Sequence, residues 1–84
     1  ELYAPESGRT LNIYTTQPGV QVYTGNWLEG CPEGKNGHVY NDYDGVAIEC
    51  QNYPDAPNKA DYPTCVLRPG ETFEQAIIFA FSVR

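Results

Sequence analysis

An all-β chain is expected from three features of these 84 residues. Gly and Pro cut the sequence into short pieces. No piece carries apolar residues at helical spacing over the dozen or so positions that an amphipathic helix needs. Several pieces instead alternate apolar and polar residues, the period of a strand with one covered face, and turn-forming residues bound them.

The first candidate strand runs from Arg9 to Thr16, where Leu11 and Ile13 alternate with Thr10, Asn12 and Tyr14. The turn Gln17-Pro18-Gly19 follows, and a hairpin is expected there. Its second strand carries Val20 and Val22 on one face and Gln21 and Tyr23 on the other, until Gly25-Asn26 breaks the run. Leu28 to Asp44 is rich in Gly, Glu, Lys, Asn and Asp, including Gly34-Lys35-Asn36-Gly37, and reads as a long loop. Loops of that length are more often functional or clamped by other parts of a protein than idle.

A third strand, Gly45 to Gln51, places Val46, Ile48 and Cys50 on one face and Ala47, Glu49 and Gln51 on the other. The segment from Asn52 to Asn58 holds Pro54 and Pro57, and Pro63 extends the constraint, so this stretch cannot lie inside a sheet. A short strand at Thr64 to Leu67 is expected to meet the turn Arg68-Pro69-Gly70-Glu71, whose Pro and Gly suit a type II turn, and so to start another antiparallel pair. The last strand, Thr72 to Val83, has Phe73, Ile77, Phe79 and Phe81 on one face, with Gln75 the exception. Its other face carries Glu74, Ala76, Ile78, Ala80 and Ser82, so toward its end both sides are apolar. A strand of that kind needs cover on both faces, more than a chain this short supplies.

Composition narrows the partners. With 11 acidic against 5 basic residues the formal charge is −6, and no stretch clusters Lys or Arg, which argues against a nucleic-acid or anionic-membrane surface. Cys31, Cys50 and Cys65 lack the close Cys or His pairs of zinc sites. Their odd number reads as free thiols in a reducing, cytoplasmic setting, with one bridge plus a leftover thiol as the alternative. The most apolar stretch, Ala76 to Phe81, is far short of a membrane-spanning helix. Glu1-Leu2-Tyr3-Ala4-Pro5 does not resemble a signal peptide and reads as the interior of a longer protein.

Two polar side chains stand out, Gln21 between Val20 and Val22, and Glu49 between Ile48 and Cys50. Amphipathic strands that simply present these residues to water account for the pattern. A carboxylate fixed on a strand beside a neutral hydrogen-bonding group also suits proton abstraction. His38, the single histidine, has no Cys, Asp or His at ligand spacing and reads as an exposed loop residue. Trp27 and Tyr23 are the aromatics best suited to a sugar platform, since aromatic faces pack on the apolar faces of pyranose rings. The acidic pairs Asp42/Asp44 and Glu71/Glu74 read as turn and surface residues. No phosphate-binding Gly-rich loop, nucleophile elbow or metal-binding histidine pair is present.

Three ordered segments go further: Tyr14 to Asn26 (YTTQPGVQVYTGN), Gly45 to Asn58 (GVAIECQNYPDAPN) and Leu67 to Glu71 (LRPGE). Together with Ser7-Gly8-Arg9 and Phe79-Ala80-Phe81, they resemble the C-terminal signatures of the aldose 1-epimerase, or galactose mutarotase, family. The resemblance implies a large antiparallel β-sandwich, with residues 1–84 as the C-terminal part of that single domain and an N-terminal portion lying outside this chain. It implies that Glu49 is the catalytic base and that Gln21 contacts the sugar. The implied reaction interconverts α and β anomers of hexoses such as glucose and galactose by acid-base ring opening, with no metal and no organic cofactor. The acid histidines, and an Asp and an Arg that bind the sugar, belong to the upstream portion in the family; His38 does not match them. The 84 residues alone are therefore expected to be inactive. Two other readings keep the same surface: a non-catalytic carbohydrate-binding module, and a relative acting on a phosphorylated hexose or serving as a structural sandwich domain.

Overall fold

The computed structural model describes all 84 residues, Glu1–Arg84. There is no α-helix; the elements are strands β1 (Leu2–Ala4), β2 (Arg9–Thr15), β3 (Gly19–Tyr23), β4 (Ala47–Gln51) and β5 (Ile77–Val83), with short 3-10 turns at Lys35–Gly37 and Ala56–Asn58. They form two separate sheets, one ordered β1-β2-β5 and one pairing β3 with β4. The chain divides into two compact units, residues 1–19 with 50–84, and residues 20–49.

In the first unit β2 is the central strand. It pairs antiparallel with β1 from Leu2↔Leu11 to Ala4↔Arg9, and with β5 from Arg9↔Val83 to Thr15↔Ile77. Level residues share a face, so Leu2, Leu11, Ile13, Phe79 and Phe81 line one side of this sheet, and Tyr3, Thr10 and Ser82 the other. The β1–β2 connection closes on hydrogen bonds from the Ser7 and Gly8 amides to the Ala4 carbonyl, at 3.2 and 2.8 Å. Gly8 is required there: its φ is +70°, and a Cβ would stand 2.5 Å from the Arg84 carbonyl oxygen. Arg84 also joins the strand ends through its side chain, bonding the Glu1 carboxylate at 2.6 Å and lying 4.1 Å over the Tyr3 ring.

Within this chain the sheets have little cover. Every residue of β5 is exposed, including Phe79 at 53% and Phe81 at 78%.

Four expectations need correction. The hairpin across Gln17-Pro18-Gly19 does not form, because β1 and β5 occupy both edges of β2 and leave no ladder for β3. The Gln17 amide bonds the Thr15 hydroxyl at 3.0 Å, a local turn that leads the chain out of the first sheet. No strand forms at Thr64 to Leu67, and hence no pair across the following turn. There the Val66 amide bonds the Thr64 hydroxyl at 3.1 Å, the kind of side-chain closure that competes with a ladder. The turn itself is as expected, with Glu71 N–H to Arg68 C=O at 3.0 Å and Gly70 at φ +87°.

The last strand begins at Ile77, not Thr72, because β2 ends at Thr15 and only Thr16 remains to bond Ala76. The third strand begins at Ala47, not Gly45, because Gly25 lies opposite with φ +71° and cannot continue a ladder. The structure also contains β1, which its three residues made invisible to any periodicity.

Candidate functional site

Gln21 is the central residue of β3 and Glu49 the central residue of β4, and these strands form one sheet. Two close approaches set their direction. A Cβ on Gly19 would stand 3.4 Å from the Gln51 carbonyl, and one on Gly25 would stand 2.6 Å from the Gly45 carbonyl. The strands therefore run antiparallel, with Gln21 and Glu49 each at the centre of its strand. Along β3, Tyr23 shares the side of Gln21, and along β4, Ala47 shares the side of Glu49, two residues away in each strand.

Why this sheet stays so short is local. Pro18 removes a donor before β3 and Gly19 opens it, where a larger residue would strike Tyr53 Cδ1 at 2.8 Å. Beyond Tyr23 the chain turns at Gly25, whose positive φ and contact with the Gly45 carbonyl end the ladder. The result is a pair of five-residue strands with a polar residue at the centre of each.

Both side chains are exposed. The two ion pairs of the chain, Lys59–Asp55 and Arg84–Glu1, leave the Glu49 carboxylate without a cationic partner. A carboxylate so placed is open to accept a proton from a ligand hydroxyl, and the Gln21 amide supplies both a donor and an acceptor on the paired strand.

The long loop closes at its base. The Glu29 amide bonds Asp42 Oδ1 at 2.9 Å, the Asn41 amide bonds Asp44 Oδ2 at 2.8 Å, and the Tyr43 amide bonds the Gly25 carbonyl at 2.7 Å. Asp42 and Asp44 are the turn residues expected from sequence. So is Glu71, which accepts from the Arg68 amide at 2.7 Å. His38 is an exposed loop residue packed edge-on against Tyr40, with ring centroids 4.8 Å apart. Cys31, Cys50 and Cys65 are free thiols. No group of three or more His, Cys, Asp or Glu side chains stands close enough to hold a metal ion, and no helix is long and apolar enough to cross a membrane.

Sequence reasoning missed the link between the two aromatics it singled out: the Trp27 amide donates to the Tyr23 hydroxyl at 3.0 Å. Nothing in their spacing signals it, because the bond depends on how the turn folds. Beside Tyr23 a recess of about 230 Å³ is lined by Tyr23, Gly25, Leu28, Gly45, Val46 and Ala47.

The aldose 1-epimerase family pattern matches residues 1–80 of the chain. Over 77 residues the chain is 54% identical to galactose mutarotase of Homo sapiens, an alignment covering 92% of this chain and 22% of that protein. It is 53% identical to galactose mutarotase of Mus musculus over the same shares. It is 40% identical over 73 residues to aldose 1-epimerase of Escherichia coli (strain K12), covering 84% of this chain and 21% of that protein. The chain belongs to the aldose 1-epimerase family. It spans about a fifth of the length of the curated relatives it matches.

Proposed function

We propose that these 84 residues are the C-terminal part of a single β-sandwich domain of an aldose 1-epimerase that interconverts the α and β anomers of hexoses such as galactose and glucose. Glu49 is the general base and Gln21 a sugar-binding residue. The observation that supports the reading most strongly is their arrangement: the two central residues of paired strands, both exposed.

The chemistry follows from what a carboxylate can do there. Glu49 takes the proton from the anomeric hydroxyl while an acid from the N-terminal portion protonates the ring oxygen. The bond between the anomeric carbon and the ring oxygen breaks, and the electron pair from the former O–H bond becomes the aldehyde C=O. Rotation about the adjacent C–C bond presents the other carbonyl face. Ring closure then returns one proton to the anomeric oxygen from Glu49 and one to the acid. Every step moves protons between oxygen and a side chain, which carboxylate and imidazole groups do without metal or organic cofactor. Gln21 orients the sugar through its hydroxyls, since an amide donates and accepts.

The partners are therefore a monosaccharide and the N-terminal remainder of the same protein. The charge of −6 disfavours nucleic acid and anionic membrane. Three free thiols favour a reducing cytoplasmic compartment. Polarimetry of freshly dissolved α-D-galactose tests the reading: the full-length protein is expected to accelerate mutarotation above the spontaneous rate, and the 84-residue chain alone is not. Spontaneous rates in both samples would reject the activity.

A further inference from the structure

Gly19 opens β3 with a φ outside the left-handed region, so its missing side chain serves space and not backbone conformation. Tyr53 takes that space. A Cβ on Gly19 would stand 2.8 Å from Tyr53 Cδ1 and 3.1 Å from its Cε1, so one edge of the phenol ring lies against the first residue of the strand. The same Cβ would stand 3.4 Å from the carbonyl of Gln51, the last residue of β4. The segment that leaves β4 therefore bears on the start of β3 through a single ring.

That ring is itself held in place. The Ala56 amide bonds the Tyr53 carbonyl at 3.1 Å, and the Tyr62 amide bonds the Lys59 carbonyl at 3.1 Å, two turns that fold the segment back on itself. Tyr62 then meets Tyr53 edge to face, with centroids 5.2 Å apart and ring planes at 71°. Pro54 restricts the backbone next to Tyr53. Gln21 follows Gly19 by two residues on β3, and Glu49 precedes Gln51 by two residues on β4. In strands this short, a slip at the end where Gly19 meets Gln51 carries through to both central residues.

We propose that Tyr53 is a positioning residue for anomer exchange: its ring, seated on Gly19 and backed by Tyr62, holds the start of β3 against the end of β4 and so fixes how Gln21 and Glu49 meet the sugar. The inference rests on the reading of Gln21 as a sugar-binding residue and Glu49 as the base, and adds the contact that sets their strands against one another. Packing carries the role, so the ring matters and the Tyr53 hydroxyl does not.

The test measures kcat and KM for D-galactose anomer exchange in the full-length protein, well below the melting temperature of each variant. Tyr53→Ala is expected to lower kcat/KM about 10- to 100-fold, with kcat falling and KM rising together, because a small displacement of reacting groups is costly. Tyr53→Phe keeps the ring and is expected to stay within about 2-fold of wild type. Gly19→Ala drives a methyl into the ring and is expected to lose activity as well. Added to Tyr53→Ala it is expected to cost little more, since the clash is gone. Unchanged kcat and KM in a folded Tyr53→Ala, with only a lower melting temperature, overturn the positioning role. So does a Tyr53→Phe protein as impaired as Tyr53→Ala, or a loss from Gly19→Ala that is the same with and without the ring. If Tyr53→Ala does not fold, Gly19→Ala alone decides, and wild-type kinetics in that variant overturn the proposal. Glu49→Gln in the same assay separates the two readings. Full exchange in Glu49→Gln rejects the base and with it the route proposed for Tyr53. Loss in Glu49→Gln with full exchange in Tyr53→Ala rejects the positioning role alone.

Discussion

Gln21 and Glu49 occupy the middle positions of the two paired strands of one sheet, each exposed. The pairing puts an amide and a carboxylate on neighbouring strands, and neither of the chain's ion pairs involves Glu49. If Gln21 binds the sugar, Gln21→Ala in the full-length protein removes one or two neutral hydrogen bonds, each contributing about 0.5–1.5 kcal/mol. The expected result is a KM raised about 2- to 10-fold with kcat changed less. A KM at the wild-type value would remove Gln21 from the site.

The Gly25 turn is predicted to tolerate no side chain. Gly25→Ala combines a left-handed φ of +71° with a Cβ 2.6 Å from the Gly45 carbonyl, a backbone atom that cannot move aside cheaply. Gly70 has φ +87° and nothing within 4 Å of a built Cβ, so Gly70→Ala adds only the conformational penalty. That penalty is about 1–2 kcal/mol. Gly25→Ala is expected to exceed it by at least about 1 kcal/mol in denaturant unfolding of the full-length protein. Equal losses at the two positions would show that the Gly45 contact is not limiting.

Thr10 is the clearest place where the sequence and the fold disagree. It is buried at 5% exposure between Tyr3 and Ser82 of the neighbouring strands, and its hydroxyl has no hydrogen-bond partner. Leaving a buried polar group unpaired costs about 1–3 kcal/mol. Thr10→Val keeps the β-branched shape and removes that group, so it is expected to raise stability by about 1 kcal/mol. A loss of stability of the same size would mean that the hydroxyl is satisfied in the full-length protein.

The same residue marks the boundary of what was legible beforehand. Strand residues such as Leu11, Ile13, Val20 and Val22 announce themselves by alternation, and β2 and β3 lie within a residue of where that pattern places them. Glu49 and Gln21 were legible for the same reason, as polar residues interrupting aliphatic runs. Pairing was not. Alternation says which face a residue occupies, but not that β5 returns to β2 and excludes β3; that depends on contacts between residues some seventy apart in the chain. Thr64 to Leu67 failed differently, since the Thr64 hydroxyl closes a turn that composition alone does not distinguish from a strand. The Trp27 to Tyr23 bond was illegible because it arises only once Gly25 has set the direction of the turn.

The central claim is that Glu49 is the base, and exchange between the α and β anomers of D-galactose, observed by NMR at equilibrium, tests it most directly. Glu49→Gln keeps the shape and hydrogen-bonding capacity of the side chain but cannot take the proton. In the full-length protein kcat for exchange is expected to fall about 10²- to 10⁴-fold, with galactose affinity within a few-fold of wild type. Exchange at the wild-type rate in a folded Glu49→Gln protein would contradict the account.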